Sequence, residues 1–229
     1  MCLKDILAII EIRELNAIIL FLLGSIVLFV ITKKMFDKKT IPYLKLIPIY
    51  IFLIVLQVAF ASYFIFTKTT LRGKESPINI SAYVFTILEY LIFATLLSKF
   101  IKLDFVKKYL IFSCIPFTVL SIIIWHSNNR YRTAMSIITT IESLSLIPFC
   151  LYYFVELLNN PRFLKLTDEP SFWITTGILF LFICITPFYA VFDLFKNIPE
   201  MQLIDFFGYD LLVLFLAKAS FTKIKKTNG

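Results

Sequence analysis

The sequence predicts an all-α, polytopic integral membrane protein: a bundle of seven transmembrane helices with its N-terminus outside and its C-terminus in the cytoplasm. Composition is the first observation behind this. Of 229 residues, 59% are apolar and 17% charged, with mean hydropathy +0.87, which does not describe a water-facing surface. Run length is the second, because seven apolar stretches approach the roughly 20 residues a spanning helix needs. Texture is the third. The runs show no strand-like alternation, and a segment in lipid must satisfy its own backbone, so they read as helices and not as a barrel.

The N-terminal segment 1–14 reads as interfacial, with Leu3 to Ile12 lying along the membrane surface. The transmembrane domain covers 15–221, with spans at Leu15–Thr32, Tyr43–Phe66, Ile78–Ser98, Lys108–Trp125, Ser136–Leu157, Ser171–Leu194 and Gln202–Phe221. The remaining 222–229 form a short basic tail. An acidic stretch (Asp5, Glu11, Glu14) precedes the first span, which ends at Lys33 and Lys34 without a small-residue cleavage pattern, so it is expected to be a permanent helix.

Orientation follows from lysine and arginine. Fifteen fall on the side holding the first, third and fifth loops and the tail, and eight on the other. Positive residues in short loops stay cytoplasmic, so the richer side faces in. The same bias accounts for the net charge of +8 through topology and contact with anionic lipid, so nucleic acid is not an expected partner. The location this implies is a multi-pass position in a bacterial inner membrane.

Local signals refine the spans. Trp125 and Trp173 fall at predicted boundaries, where amphipathic rings anchor helices. Pro48, Pro116, Pro148 and Pro187 fall inside spans two, four, five and six, each freeing a carbonyl and permitting a bend. LTDEPSFW at Leu166–Trp173 places Thr167 or Asp168 as the cap of the sixth helix, with Pro170 in its first turn. The best internal similarity sets TILEYL at Thr86–Leu91 against TTIESL at Thr139–Leu144, without extending to neighbouring spans.

The chemistry is narrowed by what is missing. The connections are short, which places function among the helices or in partners. His126 is the single histidine, so histidine-based zinc motifs and a serine nucleophile with a histidine base are excluded. Five glycines supply no phosphate-cradling loop. Cys2, Cys114, Cys150 and Cys184 share no ligand spacing and read as small apolar residues, so no metal and no cofactor is expected. A retinal pigment would want a midplane lysine in the seventh helix, whereas Lys218 lies near the inner boundary. The chain is not expected to be an enzyme.

Acids inside spans are the candidates that remain, since a charged side chain at the bilayer centre costs roughly 2.5–3.5 kcal/mol on the insertion scale. Glu89 and Asp210 lie near midplane and Glu142 in the outer half. Thr86 shares a face with Glu89, as Thr139 and Ser145 do with Glu142, and Tyr209 adjoins Asp210. These seven residues form the candidate ligand- or ion-binding set. Asp205, Asp193 and Glu156 lie close enough to span ends to be solvated. No lysine or arginine shares the depth of the buried acids, because Lys218 follows Asp210 by roughly 12 Å of helix. Glu89 and Asp210 are therefore expected to hold a proton at rest or to pair with a bound cation.

ILEYLIF at Ile87–Phe93, IESLSLI at Ile141–Ile147, YYFVELL at Tyr152–Leu158 and EPSFWITTGILF at Glu169–Phe180 resemble a group of uncharacterised seven-helix bacterial membrane proteins. Some of these are similar to membrane sensor portions associated with histidine kinases. The resemblance implies signal input through a separate cytoplasmic partner, and it carries no site residues. Three readings follow. One is a small sensory or regulatory module that senses a small ligand or protonation through its buried carboxylates. The second is a proton- or cation-coupled carrier of a small solute. The third is a structural subunit of a membrane complex. Beyond the lipid bilayer and a signalling partner, self-association into a homo-oligomer stays open.

Overall fold

The computed structural model describes residues 18–33, 42–66, 76–159, 166–190 and 202–222. The expected N-terminal segment 1–14, the basic tail from Lys223 onward and Asp193 lie outside the described residues.

Among the described residues there are eight α-helices and two 3-10 turns and no strand. The helices are α1 (Ile18–Lys33), α2 (Leu46–Phe66), α3 (Pro77–Phe100), α4 (Asp104–Phe112), α5 (Cys114–Ser127), α6 (Tyr131–Leu158), α7 (Pro170–Ala190) and α8 (Gln202–Phe221). The turns, Pro42–Lys45 and Leu166–Asp168, lead into α2 and α7. The described part of each of the seven predicted runs is helical, α4 and α5 together occupying the fourth. Among the described residues five are long and apolar enough to cross a membrane: Leu46–Phe64, Pro77–Phe100, Asp104–Ser127, Tyr131–Leu158 and Pro170–Ala190.

Helix ends sit where local chemistry puts them, and some sequence expectations need correcting. α3 starts one residue earlier than expected because Ser76 caps it, its Oγ accepting from the Asn79 N–H at 3.4 Å, with Pro77 at the first position. Pro48 is not an interior bend: α2 begins at Leu46, so Pro48 lies in the first turn, where its missing N–H costs no helical hydrogen bond. Pro148 and Pro187 do lie inside α6 and α7. In the fourth run α4 and α5 meet at Ser113, whose backbone stays right-handed helical, so that Asp104–Ser127 runs on as one span-length rod. Pro116 follows three residues later and cannot donate to the Phe112 carbonyl, which accounts for the local irregularity. Thr167 and Asp168 both belong to the 3-10 turn that leads into α7, and Glu169 is the residue before Pro170.

α3 is the hub, packing on α2, α4, α5, α6 and α7, while the most extensive pair is α7 against α8. That pair is close because glycines face it from both sides. A Cβ on Gly177 would lie 2.9 Å from Phe215 Cβ, and one on Gly208 would lie 3.2 Å from a Leu181 methyl. Gly24 plays the same part for α1, where a Cβ would come within 2.8 Å of Val55 Cγ2 on α2. The centre is aromatic and aliphatic. Tyr50 packs on Phe93 at 4.8 Å between ring centroids, and Phe93 meets Phe182 edge-on at 5.8 Å. Large apolar side chains such as Phe29, Phe105, Phe112, Ile123 and Ile183 cover the outside. An exterior of this kind suits lipid as solvent and not water.

Candidate functional site

Hydroxyls inside these helices are mostly satisfied by their own backbone. Thr86 donates to Ala82 O at 3.1 Å, Ser143 to Thr139 O at 2.8 Å, Ser145 to Ile141 O at 2.6 Å and Thr176 to Phe172 O at 2.7 Å. This one-turn-back bond lets serine and threonine sit in an apolar helix at little cost. Carboxylates have no such local remedy, so where Glu89 and Glu142 find partners decides what the interior can do.

Glu89 is placed by α3 one turn before Phe93, on the face that α2 and α8 cover. Tyr50 of α2 donates its phenolic O–H to Oε1, and Tyr209 of α8 donates to Oε2 at 3.0 Å. Three helices thus meet at one carboxyl group that is only 2% exposed. The two phenols occupy both oxygens as donors, the arrangement that suits a carboxylate.

Glu142 has the opposite surroundings. It is completely buried on α6, within electrostatic reach of Glu89, yet neither of its oxygens has a hydrogen-bond partner among the described residues. No lysine or arginine forms an ion pair with either acid among the described residues. The nearby Thr139 is buried with it, but its carbonyl serves Ser143. A buried polar group without a partner is rare enough in folded proteins to need a reason.

A second polar contact branches from the residue after Glu89. Tyr90 turns to the other side of α3, stacks on Phe117 of α5 at 3.9 Å, and its hydroxyl lies 2.8 Å from Ser113 Oγ at the α4–α5 junction. Ser113 gives its own proton to Leu110 O at 2.6 Å, so Tyr90 is the donor to Ser113. Ser145 also reaches the Tyr90 hydroxyl.

Of the seven sequence candidates, Glu89, Glu142 and Tyr209 are drawn together. Thr86 and Thr139 are buried on the same faces. Ser145 is displaced from the expected stripe: the buried line of α6 runs through Glu142, Leu146, Cys150 and Tyr153, leaving Ser145 on its shoulder beside Tyr90. Asp210 stands apart. It follows Tyr209 by one residue, a rotation of roughly 100° around α8, and it is half-buried with Oδ1 unpartnered and no contact to Glu89.

Tyr50 and Thr175 escaped the sequence reading. Tyr50 lies in an apolar run near a span end, where tyrosine ordinarily reads as a boundary anchor. The signal that marks it is its place on the stripe Ile47, Tyr50, Ile51, Ile54, all buried. Thr175 is completely buried on α7 and, unlike Thr176, its hydroxyl makes no bond back to the helix.

Glu156 is a partly exposed end position, as expected, and its two oxygens also accept from the Lys102 N–H at 3.1 and 2.9 Å, tying α6 to the α3–α4 connection. Trp173 donates to Thr167 O at 2.8 Å and carries Lys218 Nζ over its ring at 5.7 Å. Cys114, Cys150 and Cys184 are free thiols. No cluster of three or more metal-ligating side chains occurs among the described residues.

No protein family, curated protein or solved structure matches the chain. The site must therefore be read from its own chemistry.

Proposed function

We propose that this chain is a seven-span membrane protein, N-terminus outside and C-terminus in the cytoplasm, that acts as a small sensory or regulatory module. Its input is a proton or small cation taken up by the Glu89–Glu142 pair, and its output passes to a separate cytoplasmic partner. The carrying observation is the pair itself. Two carboxyl groups with exposures of 2% and 0% lie within electrostatic reach of each other, without a cationic partner among the described residues. Taking one ion out of water costs several kcal/mol even after relaxation, and two uncompensated anions would multiply that cost. A positive species shared by the pair removes it.

Occlusion favours sensing over binding of a metabolite. Tyr50, Phe93 and Leu146 close the site with exposures of 1% or less, which suits a ligand no larger than a proton or a bare ion. The carrier reading draws on Pro148, which lies within α6 less than two turns from Glu142 and frees a carbonyl there. Proteoliposomes separate the two. A sensory module is expected to show no net proton or cation flux, together with a pH-dependent change in tryptophan fluorescence that Glu89→Gln and Glu142→Gln abolish. Flux that either substitution abolishes would replace the sensory reading with the carrier.

A further inference from the structure

We infer that the ligand of this site is a single proton, not a metal cation, and that it resides on Glu142 while Glu89 stays an anion held by Tyr50 and Tyr209. The inference rests on the functional reading above for the existence of an uptake site and goes beyond it in naming the ligand and the atom that holds it.

Donor and acceptor arithmetic carries the argument. Each phenol has one proton, and both are placed to donate to Glu89, one on each oxygen. A carboxyl group receiving two charge-assisted bonds is best served as the anion, and protonating it would turn one of its acceptors into a donor facing a donor. Glu142 receives nothing. As an anion it would leave two buried acceptors and a full charge uncompensated beside Glu89, whereas as a neutral acid it leaves only the cost of unmade neutral hydrogen bonds, roughly 1–3 kcal/mol. Of the two, Glu142 is where a proton removes the larger penalty.

The same arrangement argues against a metal ion. A hard cation such as Na⁺ or Ca²⁺ needs several oxygens presenting lone pairs, six or more for Ca²⁺. Here both Glu89 oxygens already accept a phenolic hydrogen, and among the described residues no third acid, histidine or cysteine joins Glu89 and Glu142 in a metal-ligating group. Among the described residues, the titratable groups that reach Glu142 electrostatically are Glu89, Tyr50 and Tyr90, one acid and two phenols with no base among them. A proton on Glu142 needs no coordination shell and leaves the pair with one net negative charge, spread over the oxygens that the phenols hold.

The test is infrared difference spectroscopy of the carboxylic-acid C=O stretch, on the full chain in lipid, near neutral pH and in the presence and absence of Na⁺, K⁺ and Ca²⁺. The wild type and Glu89→Gln are expected to keep the buried acid band, and Glu142→Gln to lose it. Glu142→Asp, which retains the group, should shift the band without abolishing it and so guards against a misfolded Glu142→Gln. A band that survives Glu142→Gln and vanishes in Glu89→Gln would overturn the assignment, as would one that added metal ions bleach at constant pH. These outcomes do not depend on flux: a carrier could hold its proton on Glu142, and a sensor could hold it on Glu89.

Discussion

Glu89 and Glu142 occupy equivalent places on neighbouring helices. Each follows a buried threonine by three residues and precedes a buried apolar residue by four, Phe93 in one helix and Leu146 in the other. Yet the α2–α3–α8 side of the molecule supplies two phenols to its carboxylate, while the α6 side supplies no partner among the described residues. The same local motif thus serves two purposes. What separates them is the identity of residues distant in sequence, Tyr50 and Tyr209, and not anything within TILEYL or TTIESL. One acid is a junction between helices, and the other is a buried acid without a partner, the group to which we assign the proton.

Substitution can break that contrast, and the effects rank by how many partners are left stranded. Glu89→Leu strands both phenols inside the bundle, each costing roughly 1–3 kcal/mol, so about 2–6 kcal/mol of stability should be lost in denaturant titration of the protein in detergent. Tyr50→Phe removes one charge-assisted bond at a fully buried position and should cost about 1.5–3 kcal/mol in the same assay. Tyr209→Phe should cost less than Tyr50→Phe, because Tyr209 is only part-buried. The smallest effect belongs to Glu142→Leu. It strands nothing and replaces an unpartnered acid by an apolar side chain, so stability should change by less than about 1 kcal/mol or rise. A loss at Glu142→Leu as large as at Glu89→Leu would mean that both acids are structural junctions, and the contrast would disappear. A double-mutant cycle between Tyr50→Phe and Glu89→Gln sharpens it, with a coupling of about 0.5–3 kcal/mol expected for residues in one network.

The legible part of this molecule is what hydropathy dictates. The described part of each of the seven runs is helical, as a backbone in lipid requires, and the buried acids stand out because charge in an apolar run is costly. Glu89, Glu142 and Tyr209 emerge from that logic. Tyr50 does not, since nothing local distinguishes a tyrosine that reaches across to α3 from one that anchors at a membrane surface. Thr175 is hidden for a similar reason: threonine beside threonine reads as two self-satisfied hydroxyls, and only packing leaves one of them without a bond. The irregularity at Ser113 is not legible because a proline in an apolar run signals a bend without saying how far the helix departs from regularity, within α6 at Pro148 or just before Pro116. Asp210 differs from both glutamates. Depth along the chain puts it level with the other acids and its Oδ1 is buried without a partner, while the rotation of α8 presents its neighbour Tyr209 to Glu89.

α6, which carries Glu142, runs for 28 residues. At roughly 1.5 Å per residue that is about 42 Å of helix, against a hydrocarbon layer of about 30 Å. A rod longer than the slab it crosses must tilt or project, and the choice depends on acyl-chain length. One end is fastened by Ser136 bonding the Tyr189 carbonyl of α7, the other by Glu156 holding the Lys102 amide, so α6 cannot lean without carrying its neighbours along. Bilayer thickness therefore becomes a mechanical variable acting on the helix that holds the unpartnered acid. Reconstitution in short-chain and long-chain phosphatidylcholines should change how readily Glu142 exchanges its proton while leaving the phenol-bound Glu89 undisturbed.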